Sequence, residues 1–375
     1  MQADIAIIGG GMAGASAAYF LSRGAAVVLL EREEALGLHS SGRSSEQFTV
    51  GIGADTMRRL AQASRSFLER PPEGFAPIRL LSPRGCLTVG RTDQQASLQR
   101  LHGRLTGVGA EARYVDRNEA LQLFPALRAD RFDSGVLEPG AMDIDVNALL
   151  QAYLRGAKAN GAKVLTNASV SAIERGSGKW RVMTPAGDIS CSMVLNAAGA
   201  WVDEITRLAG LEPIGLTPHR RTAFTFLPTG VDASRWPHVS NVDYRWYVSP
   251  RGDSLVGSLA DAVPVPPGDV YPDDLDVAQG IENIEQDTTF EIGRPLSKWA
   301  GLRNFVADKN PVCGTRPNAD GFFWLAGQGG CGILTSPALG QAAAALMLGH
   351  ELPDEQRALG ITPNDLAPNR PGLMS

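Results

Sequence analysis

Hydrophobic and polar positions change their rhythm several times along this chain. Asp4 to Ile8 is a short apolar, β-branched stretch, and the turn Gly9-Gly10-Gly11-Met12-Ala13-Gly14 follows at once. Ala13 to Ser22 is a run of helix formers closed by Gly24, and Ala25 to Leu30 is apolar again. This order predicts strand, turn, helix, strand: one βαβ unit with its crossover helix on a parallel pair. Proline- and arginine-punctuated segments then enclose alternating stretches such as Ala223 to Leu227 and Trp246 to Val248, the pattern of an antiparallel sheet. Between these lie a helical run from Asp145 to Ala159 and strands at Lys163 to Leu165, Val170 to Ile173 and Ser190 to Asn196. The last third predicts a strand at Phe322 to Ala326, a glycine turn, and a small-residue helix from Thr335 to Leu348. The first lobe is therefore expected to be left and re-entered, with residues 1–48, 143–215 and 312–375 in one lobe and 49–142 and 216–311 in the other.

The first turn satisfies G-x-G-x-x-G in the context that motif requires. Gly9 permits the tight turn, Gly11 lets backbone approach a pyrophosphate at the helix N-terminus, and Gly14 lets helix and strand pack closely. Glu31 ends the second strand, 17 residues past Gly14, where a carboxylate accepts from two ribose hydroxyls. An acid there disfavours a 2′-phosphate and leaves FAD or NAD. The polar loop Gly37 to Ser45 follows directly, where a simple NAD domain would enter another βα unit. A second glycine turn, Gly327 to Gly332, opens the C-terminal helix and suits the electron-rich edge of a reduced flavin. These features together point to FAD. The expected fold is α/β and α+β: a Rossmann-like FAD-binding lobe beside a substrate lobe built on a mixed or antiparallel sheet.

Composition narrows this further. Of 375 residues, 42 are glycine, against a usual share of roughly 7%, so backbone must come close to something. A formal charge of −5 argues against nucleic-acid binding, and 43% hydrophobic content argues against disorder. No stretch reaches the roughly 18 apolar residues of a membrane span. Cys86, Cys191, Cys313 and Cys331 form no C-x-x-C pair, so neither a disulfide framework nor a metal site is expected. With no signal-peptide pattern at the N-terminus, a cytoplasmic location is expected.

Six motifs occur in order: Gly9–Gly14 with Glu31, His39 to Ser44, Asn196 to Trp201, Arg220 to Phe224, Gly301 to Phe305, and Gln328 to Gly332. By these the sequence resembles the D-amino-acid oxidase/glycine oxidase family of FAD-dependent oxidoreductases, and within it the bacterial D-arginine dehydrogenases. The resemblance implies non-covalent FAD and oxidation of an α-amino acid to an imino acid, which hydrolyses to a 2-keto acid and ammonia. It places the substrate carboxylate on Arg221 and Arg303, with the Tyr247 hydroxyl as a third contact and Gly330 beside the reacting atoms. Arg220 competes with Arg221, because neighbouring strand residues face opposite ways. The implied cofactor contacts are Gly9, Gly11, Ala13, Gly14, Glu31, Arg32, Ser40, Ser41, Gly42, Arg43, Ser44, Ser45, Gln47, Val170, Ala198, Gly199, Trp201, Gly330, Gly332, Ile333 and Thr335.

The implied substrate pocket comprises Glu46, Gln47, Thr49, Ile52 and Cys86, and there the match weakens. Cys86 stands where the arginine enzymes carry glutamate, Gln47 where they carry histidine, and Ile52 where they carry a lid tyrosine. Losing the carboxylate removes the partner of a guanidinium, so a neutral or apolar D-amino acid is expected. An inward-facing Glu46 would restore a cation site; as a loop acid it is expected to be solvated. A D-2-hydroxy acid, or a secondary or cyclic amino acid, stays open as substrate, as does a flavin-binding subunit without turnover. Quinone or oxygen is the expected electron acceptor, with dehydrogenase favoured by the resemblance. Cys313 is expected in the core and not bonded to flavin.

Overall fold

The computed structural model describes residues 1–228 and 230–373. Its first sheet has eight strands. Gln2–Ile8 is central, with Val27–Leu30 on one side and Ile189–Asn196 on the other, both parallel to it, and Lys163–Leu165 continues beyond Val27–Leu30. Ile189–Asn196 divides its far edge. Its first half pairs antiparallel with Lys179–Met183, which pairs in turn with Ala172–Gly176, and its second half pairs parallel with Phe322–Ala326.

Alternation explains why the central strands read as unbroken apolar runs. Ile5 and Ile7 enter one core with Val27 and Leu29, whereas Ala6 and Ile8 enter another with Val28 and Leu30. Both faces are covered, as parallel strands require. Helices Met12–Leu21, Val146–Ala159 and Ser336–Met347 cover the first face. Asp145 caps the second of these by accepting from the Ala148 N–H at 2.7 Å. Gly14 sets the closest approach of helix to strand, since a Cβ there would lie 1.9 Å from the Gly9 carbonyl oxygen.

The second sheet has nine strands, and the long antiparallel pair Thr217–Phe226 and Ser297–Phe305 forms its working edge. Ser254–Ser258, Tyr247–Arg251, His238–Asn241, Cys86–Gly90 and Ser134–Glu138 follow in that spatial order. One face, with Phe224, Phe226, Val248, Leu255 and Leu87, packs into a core of its own that takes in residues of helices Arg117–Leu123 and Asp274–Asp287. The opposite face carries Arg221, Ala223, Tyr247 and Arg303 toward the first lobe. Trp246 and Tyr247 illustrate the division. Trp246 is buried on the core side, its indole donating to Asp287 at 2.7 Å, and Tyr247 faces the other way.

Two expectations shift. The strand expected at Val170 begins at Ala172, which leaves Val170 in a loop. The expected lobe boundary at 48/49 also moves, because helix Asp55–Glu69 buries Met57, Leu60 and Ala61 in the first lobe's core. Its Ser64 hydroxyl accepts from the Ala338 N–H at 3.1 Å, which ties it to helix Ser336–Met347. Among the described residues, no helix is long and apolar enough to cross a membrane.

Packing at the first turn gives a direct test. Gly14→Ala should destabilise by about 3 kcal/mol in urea denaturation, because backbone cannot yield as a flexible side chain does. Gly103→Ala, on helix Gln95–Thr106 with nothing within 4 Å of the added Cβ, should instead stabilise by about 0.5–1 kcal/mol.

Candidate active site

A single cleft of about 1690 Å³, open mouth included, runs from the first glycine turn to the polar face of the second sheet. At one end the helix Met12–Leu21 presents its N-terminus, with no acidic residue in its first turn. The Ser41 hydroxyl accepts from the Met12 N–H at 2.9 Å, and a Cβ on Gly11 would sit 3.3 Å from that oxygen. Free donors, a helix N-terminus and open space are what a pyrophosphate needs. Glu31 is held in place by the Gly10 N–H on one carboxylate oxygen at 2.8 Å and the Glu33 N–H on the other at 3.0 Å. The Arg32 guanidinium lies 3.7 Å from the centre of the Trp201 ring, and His39 packs against that ring while bonding Glu33 at 3.0 Å. These residues, with Val170, Ile205 and Leu208, line the same end of the cleft.

Most expected cofactor contacts line this cleft: Gly9, Gly11, Ala13, Glu31, Arg32, Ser40, Ser41, Arg43, Ser44, Ser45, Val170, Ala198, Gly199, Trp201, Gly330, Gly332 and Ile333. Four expected contacts lie elsewhere. Gly14 and Gly42 are occupied by packing, each facing a backbone carbonyl, those of Gly9 and Gly37. Thr335 is fully buried and donates to the Cys331 carbonyl at 2.8 Å. Gln47 stands behind the cleft, beside Cys86. Arg43 lines the wall, but its guanidinium turns outward to Asp269 and to the carbonyls of Val270 and Ala300. That side chain staples the loop to the second lobe.

The other end of the cleft is set by strand register. His219 opposes Arg303 and Arg221 opposes Gly301, so Arg221 and Arg303 are diagonal neighbours on one face. Arg220 takes the opposite face and bonds Asp276 at 2.7 Å, whereas Arg221 lines the cleft. Arg221 is buried. Its Nε donates to the Asp261 carbonyl, and its Nη1 is enclosed with no partner among the described residues. Burial first, and the Arg303 charge second, pull the Arg221 guanidinium down to about 10. Among the described residues Arg303 has no ion pair or hydrogen bond through its guanidinium, and a Cβ on Gly330 would lie 3.0 Å from that group's carbon. Tyr247 completes the face, buried to 2% exposure and stacked on His238 at 5.3 Å. Two positive groups held together, one buried, are costly unless something anionic joins them.

Cys86 shares this face of the sheet, because its neighbour Leu87 enters the core on the other side, yet none of Glu46, Gln47, Thr49, Ile52 or Cys86 lines the cleft itself. Glu46 turns to Arg251, 2.5 Å away, so the inward orientation that would restore a cation site does not occur. Cys86 sits directly across the ladder from Glu138, a buried acid that the sequence pattern did not single out. Glu138 accepts from the Thr49 hydroxyl and, at 3.0 Å, from the Val50 N–H. Burial raises its carboxyl above the usual range, and burial with the Glu138 charge pushes the Cys86 thiol up to about 12. Cys313 lies in the core away from the cleft, with its thiol also pushed up to about 12 by burial. Tyr244 was missed as well. It lies close to both arginines, Tyr247 and Cys86, and adopts φ +59°. Hairpin alternation carries no signal for a turn residue that points inward. Among the described residues no group of acids, histidines and cysteines could hold a metal ion.

The fold and the cleft define a two-lobed oxidoreductase of the dinucleotide-binding class. The chain belongs to the DAO family of FAD dependent oxidoreductases, whose family model matches residues 4–346, and its cofactor is FAD. It is similar to an uncharacterised oxidoreductase, YurR, of Bacillus subtilis, at 26% identity over 96% of this chain and 98% of that one. It is also similar to glycine oxidase of Bacillus licheniformis, at 24% identity over 94% and 95%. Dimethylglycine dehydrogenase of Rattus norvegicus is 27% identical over 264 residues, 68% of this chain; the match spans about 30% of that longer protein. Among solved structures, L-proline dehydrogenase from P. horikoshii superposes with a TM-score of 0.84 at 22% identity, covering 95% of this chain and 98% of that one. L-alpha-glycerophosphate oxidase from Mycoplasma pneumoniae, solved with FAD bound, gives 0.83 at 20%, covering 93% and 95%.

Glu138 makes a pH prediction. With its folded carboxyl raised, the unfolded chain ionises first as pH climbs past about 4.5 and draws the equilibrium toward unfolding. Glu138→Gln removes that penalty. Urea denaturation should therefore find the variant gaining on the parent protein as pH rises above about 4.5, whereas a parallel offset would exclude the linkage.

Proposed function

We propose that this protein oxidises the Cα–N bond of an α-amino acid, with a neutral D-amino acid as the preferred class. The observation that carries the reading is the pairing of Arg221 and Arg303 on one face of the cleft, where Asp261, 3.9 Å from the Arg221 Nε, stands outside the lining and Arg303 has no ion pair among the described residues. A substrate carboxylate supplies the missing charge, and arginine's planar fork fixes its orientation as well as its position. The Tyr247 hydroxyl adds a neutral donor from the next strands of the sheet. Bound FAD supplies the two-electron acceptor for the hydride leaving Cα.

The protein's own contribution is to bind, orient and keep water out. Trp299, Ala223, Leu302 and Ile333 give the cleft apolar walls near the clamp. Among the described residues, no acid or histidine lines the cleft beside the clamp. The cleft-lining acids Glu31 and Glu204 lie toward the Trp201 end, His219 bonds the Thr217 carbonyl, and burial pulls His238 down to about 3, which keeps it neutral. The amine is therefore taken up, or becomes, neutral before hydride leaves. Side-chain preference follows from the nearby acids. Glu46 is committed to Arg251, and Glu138 to Thr49 and Val50, so a guanidinium entering beside Cys86 meets no free carboxylate. A secondary or cyclic amino acid is the second reading. It is favoured by relatives named as dimethylglycine, sarcosine and L-proline dehydrogenases and by the absence of an acid to hold an ammonium at the clamp.

Anaerobic flavin bleaching tests the choice. D-Met, D-Leu or D-Phe should reduce the flavin faster than D-Arg and faster than their L-forms. Faster reduction by sarcosine, dimethylglycine or proline supports the second reading, and reduction by D-Arg above all others excludes the pocket assignment. Arg303→Ala should lower kcat/KM by about 10²–10³, with flavin content unchanged.

A further inference from the structure

Most of the residues at positive φ in this chain are glycines; Tyr244 is the one aromatic among the exceptions. A bulky residue held there costs about 1–3 kcal/mol and persists only where its surroundings over-determine it. They do so here. Tyr244 lies in the turn between His238–Asn241 and Tyr247–Arg251, and every neighbour is tied down. The Asn241 side chain accepts from the Asp243 N–H at 2.9 Å, and the Asn241 carbonyl accepts from the Tyr244 N–H at 2.9 Å. The Arg245 carbonyl accepts from Asn283 at 3.1 Å, and Trp246 is anchored to Asp287 at 2.7 Å. With both sides fixed outward or into the core, the one conformation left to Tyr244 drives its ring inward.

The ring arrives beside the clamp. Its centroid lies 6.2 Å from that of Tyr247, and it packs on the small apolar cluster of Ala223, Tyr247 and Val256, with Trp299 and Ala260. Burial raises its phenol while the Arg303 and Arg221 charges act to lower it, and Cys86 lies on the same face of the sheet, across from the His238 on which Tyr247 stacks. Ala260, on the same cluster, is also at positive φ, +59°. The residue after it, Asp261, presents its carbonyl to Arg221 and its carboxylate to the Thr222 N–H at 2.8 Å. Two residues at positive φ thus flank Tyr247 at the same end of its strand pair with Ser254–Ser258.

Resting on the substrate reading above, we propose that Tyr244 is a specificity-determining residue. Its ring closes the side-chain end of the substrate subsite next to Cys86 and sets the largest side chain the enzyme accepts. The strain is retained because an unstrained turn would withdraw the ring and leave that end open.

Tyr244→Asn tests this with the least disturbance, since asparagine tolerates the left-handed conformation and the variant keeps the turn. Measured on the FAD-loaded enzyme, the ratio of kcat/KM for D-Phe to that for D-Ala should rise at least tenfold, chiefly through a lower KM for D-Phe. Flavin content should stay the same. Tyr244→Phe, which keeps the ring, should leave the ratio within threefold of the parent. A ratio unchanged in Tyr244→Asn overturns the proposal, as does a shift in Tyr244→Phe equal to that in Tyr244→Asn, which would assign the effect to the hydroxyl. If D-Ala and D-Phe both leave the parent flavin oxidised while Arg303→Ala changes nothing, the substrate reading fails and takes this one with it.

Discussion

Everything at the working end of this protein depends on two like charges held side by side. Arg221 and Arg303 share a face because the antiparallel pairing of their strands allows no other arrangement, and Arg221 is buried there without a full set of partners. Such a pair is unfavourable on its own. Desolvation weakens the Arg221 guanidinium's hold on its charge, and repulsion from Arg303 adds to that penalty. The site is thereby poised for a ligand that removes both penalties at once, and a carboxylate fitting between two arginine forks does so.

The rest of the structure keeps that arrangement in place and connects it to the dinucleotide end. Arg43 staples the polar loop to the strand that carries Arg303, through the Ala300 carbonyl. A Cβ on Gly330 would lie 3.0 Å from the Arg303 guanidinium carbon, so a side chain there would press on that group. Across the cleft, Gly14 and Gly9 let helix, strand and the Ala197 carbonyl approach closely enough to aim a helix N-terminus at the pyrophosphate position. One lobe therefore supplies dipoles and hydroxyls for a cofactor, and the other supplies two full charges for a substrate.

Much of this was legible in the sequence, for physical reasons. A strand buried on both faces must be apolar throughout, so Asp4 to Ile8 and Ala25 to Leu30 announced themselves, and the glycines between them marked a turn that only close backbone approach requires. The two arginines were placed by the resemblance of the segments that carry them, Arg220 to Phe224 and Gly301 to Phe305. Register was not visible: only the ladder shows that Arg220 faces Asp276 while Arg221 faces the cleft. Glu138 escaped notice because it pairs across a ladder with a residue 52 positions earlier, Cys86. Tyr244 escaped because its orientation follows from bonds made by its neighbours, not from any period in the pattern. The two helices meeting at Ser64 and Ala338 likewise join segments that sequence alone would assign to different lobes.

The central claim is that the clamp selects its ligand by the carboxylate. It is tested most directly by anaerobic stopped-flow reduction of the FAD-loaded protein with the best amino-acid substrate and with its own carboxamide. The amide keeps the amine, the Cα–H bond and the side chain, and lacks only the negative charge. Reduction by the amide slowed by about 10²-fold or more, with that gap collapsing in Arg303→Ala, is the outcome this account predicts. Equal reduction rates for acid and amide in the parent protein would contradict it.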